Sequence, residues 1–292
     1  MKPRIPKIVG VSANTGKAEA RDCLRELLEV LRRQQVEILL ESETAALVGP
    51  RELGRSLRDI GASAEILVVL GGDGTILRVA RELAGAEIPV FGINLGSLGF
   101  LTGIRSTDMQ ARVTEILQGH YQISERHLLQ ATWMRNGQPV ETHRALNDAV
   151  ISRGAFSRIV RLRLCIDDER LTEYVCDGMI FATATGSTAY SLSAGGPIVL
   201  PTARSLVVTP ICPHALSNRS IVVTENSTVR AQVAMADGEL LLTVDGQVQL
   251  RLQVGDEIDV RRAPQTVRLV MPAGSSYFEV LRQKLKWSGA NV

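Results

Sequence analysis

Short apolar runs alternate with amphipathic helical segments through the first 120 residues of this 292-residue chain. The runs bounded by turn residues predict buried strands, and apolar residues spaced three and four apart predict helices between them. Such alternation is typical of an α/β domain whose parallel sheet is covered on both faces and binds ligands at the carboxyl ends of its strands. The predicted strands are Ile8 to Val11, Val36 to Leu40, Glu65 to Leu70 and Pro89 to Ile93, and the predicted helices are Ala18 to Arg33, Ile76 to Leu83 and Met109 to Leu117.

The pattern changes near Tyr121, where short alternating runs are separated by turn pairs such as Asn136-Gly137 and Asp245-Gly246. These signals predict a second, mostly antiparallel β domain of sandwich-like architecture. We therefore expect an α/β domain over residues 1–120 and a β-rich domain over residues 121–269. A tail of about residues 270–292 contains a predicted short helix, Phe278 to Leu285, and could pack back on the first domain.

Charge and composition exclude several classes of function. The chain has 33 basic and 31 acidic side chains, and aromatic residues make up only 4%, which argues against a nucleic-acid surface or a base-stacking platform. The longest apolar runs, such as Ile66 to Leu70, are too short to span a membrane. The four cysteines form no CxxC pair, which argues against zinc and against a disulfide framework. We expect a cytoplasmic protein that contacts neither membrane nor nucleic acid.

The segment Gly71-Gly72-Asp73-Gly74-Thr75 lies where a predicted buried strand passes into a helix. Its glycines allow backbone N–H groups to approach an oxyanion, and a helix N-terminus adds positive potential for phosphate. A carboxylate there would repel phosphate unless it accepts a proton from an attacking hydroxyl or holds Mg²⁺. The alternative is a tight turn with Asp73 as the helix N-cap.

A second candidate segment runs from Asp177 to Pro197 and is rich in small and hydroxyl-bearing residues. Clustered threonine, serine and glycine can surround a polar ligand with hydroxyls and exposed backbone amides. The alternative is a close-packed crossing of the backbone, for which small residues are also required.

Together these motifs resemble the NAD kinase family. The resemblance is carried by GGDGT at 71–75, NLGSLGFL at 94–101, Asn147-Asp148 and TATGSTAYSLSAGGPI at 183–198. It continues through PICPH at 210–214, Asp245-Gly246-Gln247 and the KLKW sequence at 284–287, so it covers nearly the whole chain in order. GGDGT alone is shared with diacylglycerol kinases, sphingosine kinases and 6-phosphofructokinases, whereas TGSTAYSLSAGGP is far more specific.

The resemblance implies a kinase that phosphorylates the adenosine ribose 2′-hydroxyl of NAD, with ATP as donor and a divalent metal, Mg²⁺, as counter-charge. Asp73 matches the family's catalytic aspartate, which takes the proton from that hydroxyl. The positions that match NAD contacts are Asp73, Gly74, Phe100, Asn147, Asp148, Arg158, Asp177, Thr188, Ala189, Tyr190, Ser191, Leu192, Ser193 and Gln247. The positions expected to bind phosphate are Gly71, Gly72, Gly74, Thr75 and Gly186. The metal ligands are not assigned.

Two departures from the family pattern bear on specificity. Ala184 replaces the usual proline of Thr-Pro-Thr-Gly, so the loop loses one fixed φ angle. Val175 occupies a position where many relatives carry arginine, which leaves the choice between NAD and NADH open. The donor, ATP or polyphosphate, is equally open at this point.

Two other functions remain as alternatives. A lipid kinase of the diacylglycerol type would share GGDGT, although the sequence has no membrane-seeking apolar or polybasic run. A non-catalytic NADP-binding sensor would keep the pocket without the reaction. The family resemblance assigns NAD binding and oligomerisation to the β-rich domain over residues 121–269. It also implies a homodimer or homotetramer in which a neighbouring subunit completes the dinucleotide site.

Overall fold

The computed structural model describes residues 6–83, 85–96, 99–154 and 159–287. Arg158, a predicted NAD contact, lies outside these described residues. Among the helices that are described, none is both long and apolar enough to cross a lipid bilayer.

Strands and helices alternate at first and give way to an almost continuous series of strands. The elements up to residue 120 are β1 (Ile8–Ala13), α1 (Ala20–Arg33), β2 (Glu37–Leu40), α2 (Ser42–Ala45), α3 (Leu57–Ser63), β3 (Ile66–Gly71), α4 (Asp73–Leu83), β4 (Val90–Asn94), β5 (Ile104–Arg105) and α5 (Met109–Leu117). Those that follow are β6 (Tyr121–Arg135), β7 (Gln138–Ala145), β8 (Asp148–Arg153), β9 (Val160–Ile166), β10 (Glu169–Cys176), β11 (Gly178–Thr183), α6 (Tyr190–Ser193), β12 (Ser205–Ile211), β13 (Ile221–Thr224), β14 (Val229–Ala236), β15 (Leu240–Val244), β16 (Val248–Leu252), β17 (Glu257–Pro272) and α7 (Tyr277–Leu285). Short 3₁₀ turns cover Arg51–Leu53, Ser106–Asp108 and Gly186–Thr188.

The chain divides into two compact units, of which the first comprises residues 1–125 and 267–292. Its sheet is parallel: β1 lies between β2 and β3, β4 pairs with β3, and the end of β17 joins β4 at Leu269 opposite Val90. All six residues of β3 are buried, as a central strand covered on both faces requires. The predicted α/β fold with a parallel sheet is confirmed.

Helix α1 shows why the sequence pattern predicted the first unit well. Its buried residues include Leu24, Leu27, Leu28 and Leu31, which recur at helical spacing and join the same apolar core as Val9 and the other inward residues of β1. Helix α5 has the predicted bounds, and α7 begins one residue earlier than predicted.

The second unit comprises residues 126–266 and is antiparallel throughout its described pairings. One sheet has the order β13-β12-β11-β8-β15-β16, and another is formed by β10, β9, β14 and the first part of β17. Inward-facing residues of both sheets share one core, in which Ile151 and Phe181 meet Leu162 and Val260. The predicted sandwich-like β domain is confirmed.

Local signals explain where the sequence prediction was incomplete. Helix α3 was not predicted, although Ser56 caps it by accepting a hydrogen bond from the Asp59 backbone N–H at 3.1 Å. Helix α4 was predicted to begin at Ile76 but begins at Asp73, so GGDGT contributes the first helical turn itself. The apolar periodicity that marks a helix appears only after this polar first turn.

We predict that Asp256→Ala lowers the free energy of unfolding by about 2–3 kcal/mol. Asp256 is 1% exposed and accepts hydrogen bonds from Nε and Nη2 of Arg135 and from the Gln253 N–H, each at 2.8 Å. Its removal leaves these donors unpaired. Urea unfolding followed by circular dichroism measures the loss.

Glu29→Ala is the matched control, because Glu29 pairs with Arg33 at 3.7 Å with both side chains more than 60% exposed. Its effect should stay within about 0.5 kcal/mol. Equal losses in the two variants would contradict the prediction.

Candidate active site

The turn between β3 and α4 lies at the carboxyl edge of the parallel sheet in the first unit. The Gly72 carbonyl accepts hydrogen bonds from the N–H groups of Thr75 at 2.9 Å and Ile76 at 3.2 Å. In return the Thr75 hydroxyl accepts a bond of 3.4 Å from the Gly72 N–H. Thr75 therefore braces the turn, and its side chain is buried.

The glycine positions of this turn differ in whether the fold has room for a larger side chain. A Cβ on Gly71 would lie 2.2 Å from the Thr75 hydroxyl oxygen, so packing alone explains that glycine. A Cβ on Gly72 or Gly74 would meet no atom of the chain within 4 Å, and neither residue has positive φ. Nothing within the fold demands glycine at these two positions, which suits a surface where a ligand approaches the backbone closely.

The Asp73 carboxylate at the start of α4 is bound by the loop after β4. Oδ2 accepts the Phe100 N–H at 2.8 Å, and Oδ1 accepts the Leu101 N–H at 3.0 Å. A Cβ on Gly99 would lie 1.9 Å from Asp73 Oδ1, so only glycine allows this approach. Asp73 is half-buried, and the loop fixes both carboxylate oxygens.

Thr102 and Asn94, which sequence reasoning did not assign to the site, extend this contact. The Asn94 Nδ2 donates to Thr102 Oγ1 at 2.8 Å, and the Gly99 N–H donates to the same oxygen at 3.3 Å. With both acceptor positions of the hydroxyl occupied, its single proton is directed to Asp73 Oδ1 at 3.4 Å. The sequence did contain one signal for this part of the site, because Asn94 is a polar residue at the end of a buried strand.

Phe100, the predicted neighbour of adenine, is partly exposed. Its ring centroid lies 6.3 Å from that of Tyr277, the first residue of α7. The C-terminal tail thus reaches the loop that holds Asp73, within the same unit.

In the second unit the structure brings the Asn147-Asp148 pair next to the Thr183–Gly186 segment. The Asn147 carbonyl accepts the Thr183 N–H at 2.8 Å, and the Thr183 hydroxyl donates to the Leu146 carbonyl at 2.6 Å. A Cβ on Gly186 would lie 2.0 Å from the Asn147 carbonyl oxygen. The Gly186 N–H donates to Thr183 Oγ1 at 3.0 Å, so its amide is used inside the chain, which favours a packing role over the predicted phosphate contact.

Among the acidic side chains of this region, Asp148 has a strongly raised pKa. Its side chain is 6% exposed, and burial, followed by the negative charge of Asp245, raises its pKa to about 7. A carboxyl that changes charge near neutral pH beside a polar loop is typical of a functional site.

The hydroxyl-rich segment forms the 3₁₀ turn Gly186–Thr188 and helix α6. Tyr190 is 46% exposed and Ser193 is exposed, whereas Thr188, Ala189 and Leu192 are half-buried. Ser191 is fully buried and its hydroxyl pairs with Thr209 Oγ1 at 2.9 Å, so it supports the loop from inside.

Asp177 stands apart from these residues within one chain. It precedes β11, whereas the Ala184–Ser193 segment follows that strand, about 20 Å away at the usual rise of a strand. Arg153 at the end of β8 pairs with it, Nε to Oδ1 at 2.9 Å. Although Val175 lacks the arginine of many relatives, a cation thus reaches Asp177 from the neighbouring strand. The sequence prediction placed Asp177 on one wall with residues 188–193, and the structure does not bring them together in one chain.

Gln247 is exposed at the tip of the β15–β16 hairpin. The neighbouring Asp245 accepts backbone hydrogen bonds from the segment that carries Asn147 and Asp148. The sequence analysis used Asp245-Gly246 as a turn signal and as part of the family resemblance but did not predict this contact.

Comparison with known proteins identifies the family. Residues 9–121 match the ATP-NAD kinase N-terminal domain, and residues 146–271 match the ATP-NAD kinase C-terminal domain. The NAD kinase of Syntrophotalea carbinolica is 41% identical over 281 residues, covering 96% of this chain and 99% of that protein. The chain belongs to the NAD kinase family. The NAD kinase of Geobacter metallireducens is also similar, with 44% identity over 284 residues that cover 96% of this chain.

Solved structures support the same fold. Yeast NADH kinase complexed with NADH has a TM-score of 0.87 and 26% identity, covering 98% of this chain and 89% of that one. An NAD kinase from Archaeoglobus fulgidus in complex with ATP has a TM-score of 0.73 at 24% identity, with 97% of this chain and all of that one covered. The predicted resemblance to the NAD kinase family is confirmed.

The described residues contain no group of three or more histidine, cysteine, aspartate or glutamate side chains placed to hold a metal ion. In the GGDGT turn the acidic side chain is Asp73, and backbone amides bind both of its oxygens. This donor set suits a cation that keeps most of its ligands from water and substrate phosphates, as Mg²⁺ commonly does.

We predict that Thr102→Val lowers kcat by about tenfold and leaves the KM for NAD within about threefold, on the scale of one lost positioning contact. The valine keeps the shape of the side chain but removes the hydroxyl that reaches Asp73. Steady-state kinetics measures the change, and Thr102→Ser should restore kcat.

Thr44→Val is the matched control, because Thr44 is equally buried, accepts the Ala13 N–H at 2.7 Å and donates to the Glu41 carboxylate at 3.2 Å. It should lose stability to a similar degree and keep its kcat. A Thr102→Val enzyme with wild-type kcat would show that the hydroxyl does not position Asp73.

Proposed function

We propose that this protein transfers the γ-phosphoryl group of ATP to the 2′-hydroxyl of the adenosine ribose of NAD, giving NADP. Membership of the NAD kinase family supports the reaction, and near full-length coverage of the relatives supports the whole activity. The observation that carries the proposal is the Asp73 carboxylate at the first turn of α4, between glycines whose Cβ positions are open.

Asp73 would accept the proton of the ribose hydroxyl as that oxygen attacks phosphorus. The N–H groups of Phe100 and Leu101 hold the carboxylate in one orientation, so no rotamer needs to be selected during the reaction. Gly72 and Gly74 would let the backbone approach the phosphate groups, and the N-terminus of α4 adds favourable potential. On the second unit, Asn147, Asp148 and Tyr190 would contact NAD.

We propose Mg²⁺ as the metal, which the phosphate oxygens of ATP would bind, so that Asp73 stays available as the proton acceptor. The ion would supply the counter-charge that phosphoryl transfer requires. The cytoplasm is the proposed compartment, and the four free thiols of Cys23, Cys165, Cys176 and Cys212 fit a reducing environment.

The family matches favour a dinucleotide over a lipid as acceptor, since both halves of the chain match ATP-NAD kinase domains. A non-catalytic NADP sensor would not need a carboxylate held by two backbone amides in a glycine turn.

We predict that the purified protein forms NADP from NAD, ATP and Mg²⁺, and that Asp73→Asn lowers kcat at least about a hundredfold, as expected for loss of a general base. A coupled assay with an NADP-specific dehydrogenase measures the rate. Thermal unfolding of the variant shows whether the fold is retained. NADP binding without NADP formation by the wild-type protein would favour the sensor instead.

We further propose a homodimer or homotetramer whose sites are completed by a neighbouring subunit. Asp177 is separated from the other predicted NAD contacts by the length of β11. It lies beside the Pro210–His214 segment, since its N–H donates to the Ile211 carbonyl at 2.9 Å and the His214 N–H donates to the Val175 carbonyl at 2.9 Å. The resemblance connects that segment with subunit contacts, and closed symmetry would place Asp177 of one subunit at the site of another.

We predict that specific activity falls in a dilution series as light scattering reports dissociation. Hybrid oligomers made by co-expressing Asp73→Asn and Asp177→Ala chains should regain activity that each variant lacks, because some sites then receive both wild-type residues. Oligomers of either variant alone, mixed only after purification and kept from exchanging, are the control. A fully active monomer would contradict the proposal.

A further inference from the structure

The hairpin between β15 and β16 ends in a two-residue turn with unusual backbone angles. Asp245 and Gly246 have φ angles of 49° and 65°, and the Gln247 N–H donates to the Val244 carbonyl at 3.0 Å. Two consecutive positive φ values define a type I′ turn, which aspartate, asparagine and glycine tolerate best. The turn explains why a residue of this type stands at position 245.

The turn does not explain where the Asp245 carboxylate points. Oδ2 accepts the Leu146 N–H at 2.8 Å, and Oδ1 accepts the N–H groups of Asn147 at 2.8 Å and Asp148 at 3.0 Å. The Asp245 N–H donates in turn to the Asp148 carbonyl at 2.9 Å. The side chain is 9% exposed, so these bonds lie away from bulk water, where leaving a donor unpaired is costly.

Another hairpin turn in the same unit provides a measure of what an ordinary turn aspartate does. Asp167, between β9 and β10, has a φ of 51°, and its N–H donates to the Thr228 carbonyl at 2.9 Å. Its carboxylate accepts one N–H, that of Thr228, at 2.8 Å and is exposed. Asp245 shares this geometry but is buried and holds three consecutive amides, which form the segment carrying Asn147 and Asp148.

Asp245 also acts on Asp148 through its charge. On the neighbouring strands, the residue opposite Asp148 is Ala182 in β11, and Val244 in β15 lies opposite Ala149. These partners carry no titratable group, so Asp245 is the charged neighbour on the adjoining elements that raises the Asp148 pKa, after burial itself. Two acidic side chains thus share a buried region, and repulsion between them favours the neutral form of Asp148.

We infer that Asp245 is a positioning residue for the NAD contacts of the second unit, fixing the Asn147-Asp148 backbone by hydrogen bonds and acting electrostatically on the Asp148 carboxyl. The inference rests on the proposed function for the assignment of Asn147 and Asp148 to NAD. Neither effect requires Asp245 to contact the substrate, because it acts through Asn147 and Asp148.

The sign of the pH effect follows from linkage. Because the Asp148 pKa is about 7 in the folded protein and lower in the unfolded chain, the folded state binds more protons between these values. The contribution of Asp148 to stability is therefore complete below the ordinary pKa of 3.8, declines as the pH rises between the two values, and is lost once the pH passes about 7. Without the charge of Asp245, this loss should occur at lower pH.

Asp245→Asn is the informative variant, since asparagine tolerates the same turn but is uncharged and turns an N–H₂ group toward one of the three amides. We expect the KM for NAD to rise roughly tenfold, while kcat and the KM for ATP stay within about threefold. Asp167→Asn makes the same change in the matched turn and should leave all three constants unchanged.

Thermal unfolding from pH 5 to 8 without substrate tests the charge effect separately. The difference between the wild-type and Asp148→Asn curves isolates Asp148 and should show a transition near pH 7. In the Asp245→Asn background, the same difference should show its transition at lower pH, because the repulsive charge is gone. Asp245→Glu, which keeps the charge but displaces it, should raise the KM for NAD and keep the transition near pH 7.

An unchanged KM for NAD in Asp245→Asn and Asp245→Glu would overturn the positioning role, and an unmoved transition in the Asp245→Asn background would overturn the charge effect. If the wild-type protein forms no NADP, the proposed function fails, yet the unfolding curves still decide whether Asp245 acts on Asp148. The two failures are therefore distinguishable.

Discussion

Loops in this protein depend on carboxylates that accept backbone N–H groups. A loop cannot pair its amides as a strand or helix does, and a buried unpaired amide costs roughly as much as a lost hydrogen bond. Asp73 binds the amides of Phe100 and Leu101 in the first unit, and Asp245 binds those of Leu146, Asn147 and Asp148 in the second. Three of the predicted site residues, Phe100, Asn147 and Asp148, therefore lie on backbone that an acidic side chain holds in place.

Close approach between segments is the second recurring device. Gly99 admits the Asp73 carboxylate, and Gly186 admits the Asn147 carbonyl, at distances that no Cβ would permit. Gly72 and Gly74 differ, since the chain leaves space around them. The small residues that a motif search treats as one signal thus separate into those that pack the protein and those that expose backbone to a ligand.

This separation bears on the alternatives that the sequence left open. For the GGDGT segment, Asp73 does begin α4, but its side chain is turned to the loop after β4, so simple N-capping does not account for it. For the hydroxyl-rich segment, the structure supports close packing for some residues and leaves others exposed to a ligand. Ser191 and Gly186 serve close packing inside the unit, whereas Tyr190 and Ser193 are exposed and remain free to serve as predicted contacts.

The amino-acid sequence was sufficient to predict the fold class, the family and the position of Asp73 at a strand-to-helix junction. Periodicity of apolar residues records burial directly, and the TGSTAYSLSAGGP run is specific enough to name the family. Only the tertiary structure showed that Thr102 and Asn94 stand behind Asp73, that Asp245 supports a segment 97 to 99 residues earlier, and that Arg153 reaches Asp177 from an adjacent strand. Hydrogen bonds between residues distant in sequence leave no periodic trace, because they depend on how strands are ordered in a sheet, and that order is decided by the packing of the whole unit.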